Sequence, residues 1–411
     1  MRFLKYILIV VTLLLLWSAF IFLGIQKGYL LSNFSEKDQF VERVSEQSKE
    51  VGISNLAVAM IENGKIVDSY YASKDGEMQA STILQIASVS KWITSWGVMH
   101  LVENGLINLD APVEQYLKRW KFPKSEFDSG KVTIRMLLNH TSGIGNDTGY
   151  LGFENKEDVQ SLEESLSDAK DVSDSEQITK LMYEPGSRYY YSSKGYTILQ
   201  LLIEEVTGER FQEYMTREVL QPLGMSHSSF MLTDDNAQKL AKSFDKNGIQ
   251  APLYTYTATG AASLFTTISD LVLFLNAHNT QNEVLKETTI AAMITDTYSI
   301  NQQRAQGLGP VVFNADKDEL IIGHDGNLRP DLNISVRYTM SAKNGFILFE
   351  TGSSIFATQM AEEWMHSMYG IPTYTTIARN NSWLMPLLIV GGILIISVSI
   401  LFFRKRRKRI T

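Results

Sequence analysis

In the stretch Q-I-A-S-V-S-K-W-I-T-S-W (residues 85–96), two serines and a lysine stand at the head of an apolar run. Ser88 and Lys91 are three residues apart, which on a helix puts them on one face, one turn from each other. A hydroxyl beside an amine is a minimal pair for nucleophilic acyl transfer, the amine taking the proton while the oxygen attacks a carbonyl. Ile86, Trp92, Ile93 and Trp96 imply burial, and burial favours the neutral amine that such a base must be. The same residues also fit a helix whose serine caps the first turn and whose lysine reaches out to solvent. Spacing alone decides nothing, because S-x-x-K occurs three times: Ser88 to Lys91, Ser167 to Lys170 and Ser243 to Lys246. Only the first heads an apolar helical pattern. The second lies in an acidic segment, and S-F-D-K-N-G around the third reads as an exposed loop.

Three further stretches add context. T-I-R-M-L-L-N-H-T-S-G-I spans residues 133–144. E-P-G-S-R-Y-Y-Y-S-S-K-G-Y begins at Glu184 and carries Tyr191-Ser192-Ser193 just before a helical pattern. I-I-G-H-D-G-N (residues 321–327) carries His324-Asp325-Gly326 at the end of a strand-like run. With Ser88 and Lys91, this order of motifs resembles the serine β-lactamase and penicillin-binding-protein superfamily. The class C β-lactamase-like branch, with its D,D-peptidases, D-aminopeptidases and esterases, is the most similar. The resemblance runs from about Val51 to Tyr369.

It implies roles residue by residue. Ser88 would be the acylated nucleophile, Lys91 its base, and Tyr191 the phenol that passes a proton to the leaving group. Ser193, His324, Gly326 and Asn327 would bind substrate. His324 and Gly326 stand where other members carry Lys-Thr-Gly, and Gly326 would leave room for a substrate backbone beside the strand. The backbone N–H groups of Ser88 and Asn327 would form the oxyanion hole, a donor pair whose members are worth roughly 3 to 4 kcal/mol each. Such chemistry implies no cofactor and no metal.

Two departures from the family pattern stand out. Its second motif usually ends in asparagine; Ser193 has a shorter reach and one polar centre instead of two, which bears most on positioning an amide. After Gly326 the chain continues N-L-R-P-D-L-N instead of with glycines, so the pocket rim differs. There Arg329 is either a bidentate partner for a substrate carboxylate or an ordinary rim residue. His100, His227, His278 and His366 show no paired metal-ligand spacing, and His140 belongs to the recurring loop, which it would position. No G-x-S-x-G, H-E-x-x-H or phosphate-loop pattern supports a rival hydrolase class.

The elements that must hold these residues can be outlined. Asn55 to Ser73 alternates around Asn63-Gly64, a hairpin signal. Helical patterns run over Ser88–Asn104, Thr133–Asn139, Lys194–Gly208 and about Ile355–Tyr369. Strand-like runs G-L-G-P-V-V-F-N-A-D, E-L-I-I-G-H-D-G, I-S-V-R-Y-T-M and G-F-I-L-F-E-T-G come late, with a turn at Lys343-Asn344-Gly345. Strands at both ends with helices between predict an α+β fold, and the resemblance implies that it is β-lactamase/transpeptidase-like. Its antiparallel sheet would draw on N- and C-terminal segments, with helices around it and two transmembrane helices flanking it.

The 411 residues are 44% hydrophobic and contain no cysteine, so disulfides and thiolate chemistry are excluded. Tyr6–Ile25 and Trp383–Phe403 are uncharged runs that meet the roughly 20 residues a bilayer requires. Arg2 and Lys5 precede the first, and R-K-R-R-K-R (Arg404 to Arg409) follows the second. The basic clusters predict cytoplasmic termini and an outward-facing middle. Without an A-x-A-like site after it, the first run reads as an uncleaved anchor instead of a signal peptide. Formal net charge is −7; removing those eight cations leaves −7 − 8 = −15 for the remainder, which argues against nucleic acid as a partner. The expected organisation is an anchor at 1–27, a tether at 28–48, a hydrolase domain at 49–372, a second membrane helix at 383–403 and a basic cytoplasmic tail at 404–411.

The expected protein is therefore a plasma-membrane serine hydrolase with an extracellular domain. Its partners would be peptide, amide or ester substrates bearing D-amino acids and related to the cell wall, with β-lactams as acylating ligands. Two alternatives stand beside it. One is a catalytically silent protein that binds or senses β-lactams or peptidoglycan fragments. The other is an interaction protein docking through Glu154–Gln177, where nine acids face two lysines.

Overall fold

Asn63 and Gly64 both take positive φ, 48° and 76°, and reverse the chain between β1 (Asn55–Glu62) and β2 (Lys65–Ser73). This computed structural model describes residues 2–26, 30, 39–145, 149–173, 175, 177–301, 303–313, 319–371 and 373–407. Most of the expected tether and the end of the basic tail lie outside them. Helix α1 (Arg2–Gln26) comes first, and α2 (Phe40–Val51) leads into the hairpin.

The remaining helices and strands follow in chain order. The two-residue β3 (Leu84–Gln85) opens into α3 (Val89–Glu103), followed by α4 (Ile134–Leu138) and α5 (Leu162–Asp168). Next come α6 (Ser193–Thr207), α7 (Phe211–Met215) and α8 (Asp234–Lys239). α9 (Thr259–Ala262), β4 (Phe265–Thr266), α10 (Ile268–Ala277) and α11 (Glu287–Thr295) complete the helical part. Strands β5 (Tyr298–Asn301), β6 (Arg304–Gln306), β7 (Val311–Phe313), β8 (Ile321–Leu328), β9 (Leu332–Thr339) and β10 (Gly345–Thr351) follow. The last helices are α12 (Phe356–Tyr369) and α13 (Tyr374–Arg407).

The main sheet is antiparallel in the order β2-β1-β10-β9-β8-β7-β6-β5. N- and C-terminal strands meet at the β1–β10 pair, in register from Asn55 opposite Thr351 to Ile61 opposite Gly345. Sequence patterning anticipates this union but passes over β5 and β6, which are only four and three residues long, although Y-S-I-N does alternate. Nor does it anticipate the separate β3–β4 pair. His324 falls within β8 and not at a strand end, since pairing with β9 continues through Leu328. Every residue of β9 is buried. Its apolar side chains (Ile334, Val336, Tyr338) and its polar ones (Asn333, Ser335, Arg337) point to opposite faces, as strand geometry requires.

Helix α3 is buried almost all round, the state expected of a helix apolar on every side. Trp92 and Trp96 each meet Phe274 of α10 with ring centroids 5.2 Å apart, a contact that adds about 0.5–1.5 kcal/mol to the burial of each ring. In the acidic segment, Glu164 closes a capping box with Ser161, and Glu163 pairs with Arg119 at 3.1 Å. Asp174 and Glu176 lie outside the described residues.

The chain divides into two compact units, Met1–Phe40 with Gln359–Thr411, and Val41–Thr358. In the first, two helical spans are long and apolar enough to cross a bilayer, Leu4–Ile25 and Asn380–Lys405, each of mean hydropathy 2.7. They pack on one another: Trp17 Nε1 donates to the Leu388 carbonyl at 3.2 Å. A Cβ on Gly391 would fall 2.3 Å from the same indole, so only glycine lets the ring approach that closely.

Candidate active site

The site starts with a strained turn. Ala87 has φ +49°, a left-handed conformation unfavourable for alanine. The second serine of the opening stretch holds it: Ser90 Oγ donates to the Ala87 carbonyl at 2.6 Å and accepts from Leu264 N–H at 2.9 Å. Ser88, next in the chain, occupies the N-cap position of α3 yet makes no side-chain capping bond. Its Oγ is hydrogen-bonded to Lys91 Nζ at 3.0 Å. Capping, one of the two readings open from sequence, is therefore not what Ser88 does.

Lys91 does not extend to solvent either; its exposure is 0%. Its Nζ donates to the Ala261 carbonyl at 2.9 Å and lies 5.0 Å from the ring centroid of Tyr191 and 5.9 Å from that of Tyr196. The acceptor is itself fixed. Thr94 Oγ1 donates to the Gly260 carbonyl at 2.7 Å, and Gly260 N–H donates to Gln200 Oε1 at 3.0 Å. The α9 turn is thus tied between α3 and α6.

Tyr191 precedes α6, whose N-cap Ser192 accepts from Gly195 N–H at 3.3 Å. The cap sets where the helix begins and so where Tyr191 leaves it. Ser193, the first helical residue, is buried.

On β8, His324 and Asp325 face opposite sides of the sheet. His324 Nδ1 is 2.6 Å from the Asp325 carbonyl, to which the neutral ring donates, leaving Nε2 as the acceptor. Burial, reinforced by the nearby Lys91, pushes His324 down to about 4, so the ring is neutral at physiological pH. His324 therefore brings no charge of its own to the cavity. Burial works against the Asp325 carboxylate, but Arg337 meets it with two bonds of 2.8 and 3.0 Å and Ser335 donates to it. Together they hold Asp325 below the usual carboxylate range. Asn327 is anchored through its side chain, which donates to the Ser354 carbonyl at 2.7 Å.

These parts enclose a cavity of about 390 Å³. Ser88, Tyr191, Ser193, His324, Gly326 and Asn327 all line it, and Lys91 reaches it through Ser88. Two positions near the cavity have close neighbours within the protein. A Cβ on Gly326 would lie 2.8 Å from Ala87 Cβ and 2.9 Å from Ile334 Cγ2, so this glycine makes room for the protein's own Ser88 turn. Arg329 does not line the cavity but lies over the Tyr254 ring, 5.6 Å from its centroid. Arg304 is the arginine on the cavity wall, beside Tyr189. Sequence reading missed Arg304 because β6 leaves no pattern. Tyr189, two residues from Tyr191, lines the same cavity.

The β-lactamase family profile matches residues 40–353, and the chain belongs to this family of serine hydrolases. It is 24% identical over 356 residues to the protein flp of Staphylococcus aureus strain N315, covering 84% of this chain and 69% of that one. Among solved structures, it is similar to an octameric penicillin-binding-protein homologue from Pyrococcus abyssi. The TM-score is 0.67 at 25% identity, over 81% of this chain and 77% of the other. A D-stereospecific amidohydrolase from a Streptomyces species shares the fold with TM-score 0.65 at 18% identity, over 82% and 99% of the two chains.

Proposed function

We propose that this protein is a membrane-anchored, outward-facing serine hydrolase that works through an acyl-enzyme on Ser88. The observation that carries the reading is the 3.0 Å contact between Lys91 Nζ and Ser88 Oγ on the wall of a cavity shared with Tyr191 and His324. Ser88 Oγ attacks the substrate carbonyl carbon as Lys91, neutral, takes the hydroxyl proton. Removal of the amine from water works towards that neutral form. The oxyanion is received by the N–H groups of Ser88 and Asn327. The first of these sits at the N-terminus of α3, where the helix dipole favours negative charge. Tyr191 gives its phenol proton to the leaving group and is reprotonated by Lys91, the C–N or C–O bond breaks, and water then releases the acyl group from Ser88.

The substrate class we infer is a peptide, amide or ester containing D-amino acids, near or within the cell wall. Support comes from the D-stereospecific amidohydrolase and the penicillin-binding-protein homologue among the fold's relatives. The two apolar spans, with basic residues at the outer end of each, support anchoring with the hydrolase unit outside. Ser193 in place of an amide side chain favours esters or small amides over long peptides.

The test is intact-protein mass of the full chain in detergent mixed with a penicillin, beside Ser88→Ala. A covalent adduct on the wild type alone is expected. An adduct of equal yield on Ser88→Ala, or neither adduct nor ester turnover by the wild type, would sink the proposal.

A further inference from the structure

His140 is 1% exposed and has φ +59°, a region in which histidine, asparagine and aspartate are the tolerated non-glycine residues. Two of its atoms grip the segment before α6. Its carbonyl accepts from Tyr190 N–H at 2.8 Å, and its Nδ1 accepts from Ser192 N–H at 3.1 Å. The two donors flank Tyr191 in the chain. Between those anchor points the imidazole lies against the Tyr191 ring itself, centroids 4.4 Å apart and planes 35° apart.

We infer that His140 is a positioning residue for Tyr191, clamping the main chain on either side of it and backing its ring, so that the phenol is aimed at the Ser88–Lys91 pair. The inference rests on the hydrolase reading above. His140 touches no reacting atom and acts through Tyr191.

The requirement is for one tautomer. Nδ1 can accept from Ser192 only if the ring is neutral with its proton on Nε2. Burial, with Lys91 and His324 close by, keeps the ring well below its ordinary value of 6.5, so this tautomer is stable across the physiological range. Nε2 itself has no partner among the described residues. A buried donor left unsatisfied costs about 1–3 kcal/mol, a cost set against the bond that Nδ1 makes to the Ser192 N–H.

Three substitutions separate positioning from filling. Asparagine tolerates the left-handed backbone and places its Oδ1 close to where Nδ1 sits; phenylalanine keeps the ring without an acceptor; glutamine carries its polar end too far out. The full chain in detergent is assayed on a chromogenic ester, with unfolding midpoints measured for each variant. His140→Phe and His140→Gln are expected to lower kcat by ~10²-fold, the cost of a misplaced catalytic group, with KM within about 3-fold. His140→Asn is expected to recover most of the loss. Equal activity for Asn and Gln, or His140→Phe within about 3-fold of wild type, overturns the inference. If His140→Phe does not fold, the Asn and Gln pair decides alone. Wild type that turns over while all three variants match it sinks the clamp only. Wild type without turnover or a Ser88 adduct sinks the hydrolase reading and the clamp with it.

Discussion

Gly326 and Ala87 lie so close that a Cβ on the glycine would sit 2.8 Å from the alanine's Cβ and equally near the Ile86 carbonyl oxygen. Strand β8 therefore runs directly against the strained turn that presents Ser88. Gly326→Ala is expected to destabilise the fold by ~1–3 kcal/mol through overpacking and to slow acylation in parallel, because relief of the clash must move the turn. Thermal unfolding and ester turnover on the same preparation check this; an unchanged unfolding midpoint would refute the close approach.

Lys91 is expected to be irreplaceable by either a neutral or a charged analogue. Lys91→Met removes the proton acceptor and should slow acylation by ~10²- to 10⁴-fold. Lys91→Arg should not recover it, since a guanidinium stays protonated and cannot accept from Ser88. Pre-steady-state acylation rates decide; a rapid Arg variant would remove the base role from this residue.

Arg304 puts a cation on the cavity wall, its guanidinium over the Phe313 ring at 5.4 Å. A charge-assisted bond to a substrate carboxylate is worth roughly 1.5–3 kcal/mol. Arg304→Gln is therefore expected to lower kcat/KM by ~10- to 100-fold for substrates with a free carboxylate and to leave neutral esters within about 2-fold. Equal effects on both substrates would exclude a charge role.

The pH dependence of stability should be two-sided. His278 and His324 are buried and pushed from 6.5 down to about 4 by burial. Below pH 6.5 the unfolded chain binds protons that the native rings refuse, so stability present above that pH falls as pH drops towards 4. Each group contributes a slope on the order of 1 kcal/mol per pH unit. Glu350 has the opposite sign. Burial lifts it from 4.5 to about 9, so its contribution is complete below pH 4.5 and is lost as pH rises through 9. Denaturant unfolding from pH 4 to 10 should show both limbs, and Glu350→Gln should remove most of the alkaline one. A variant that keeps that limb would show that Glu350 is not its source.

Much of the site was legible because its groups sit in short local patterns: Ser88 with Lys91, Tyr191 with Ser193, His324 with Gly326. The parts that were not legible come from elsewhere in the chain. The carbonyl that receives Lys91 belongs to Ala261, the ring behind Tyr191 to His140, and the charge on the wall to Arg304. The β5 and β6 strands were invisible for a similar reason. At four and three residues they are too short to mark themselves as strands, even where Y-S-I-N alternates, and their pairing is completed by the neighbouring strands of the sheet.

Residue type and local spacing alone determined the helix that carries Ser88 and Lys91, the hairpin at Asn63-Gly64, the strand-like runs early and late in the chain, and the two apolar spans. These depend on periodicity and turn chemistry, which operate over a few residues. Only the tertiary structure decided that Ser88 is uncapped, that Lys91 is sealed from water, and that Gly326 serves the nucleophile's turn. It also put Arg304, not Arg329, on the cavity wall. Each of those depends on which distant backbone arrives within a hydrogen bond or a van der Waals radius, and close packing of the whole unit sets such distances.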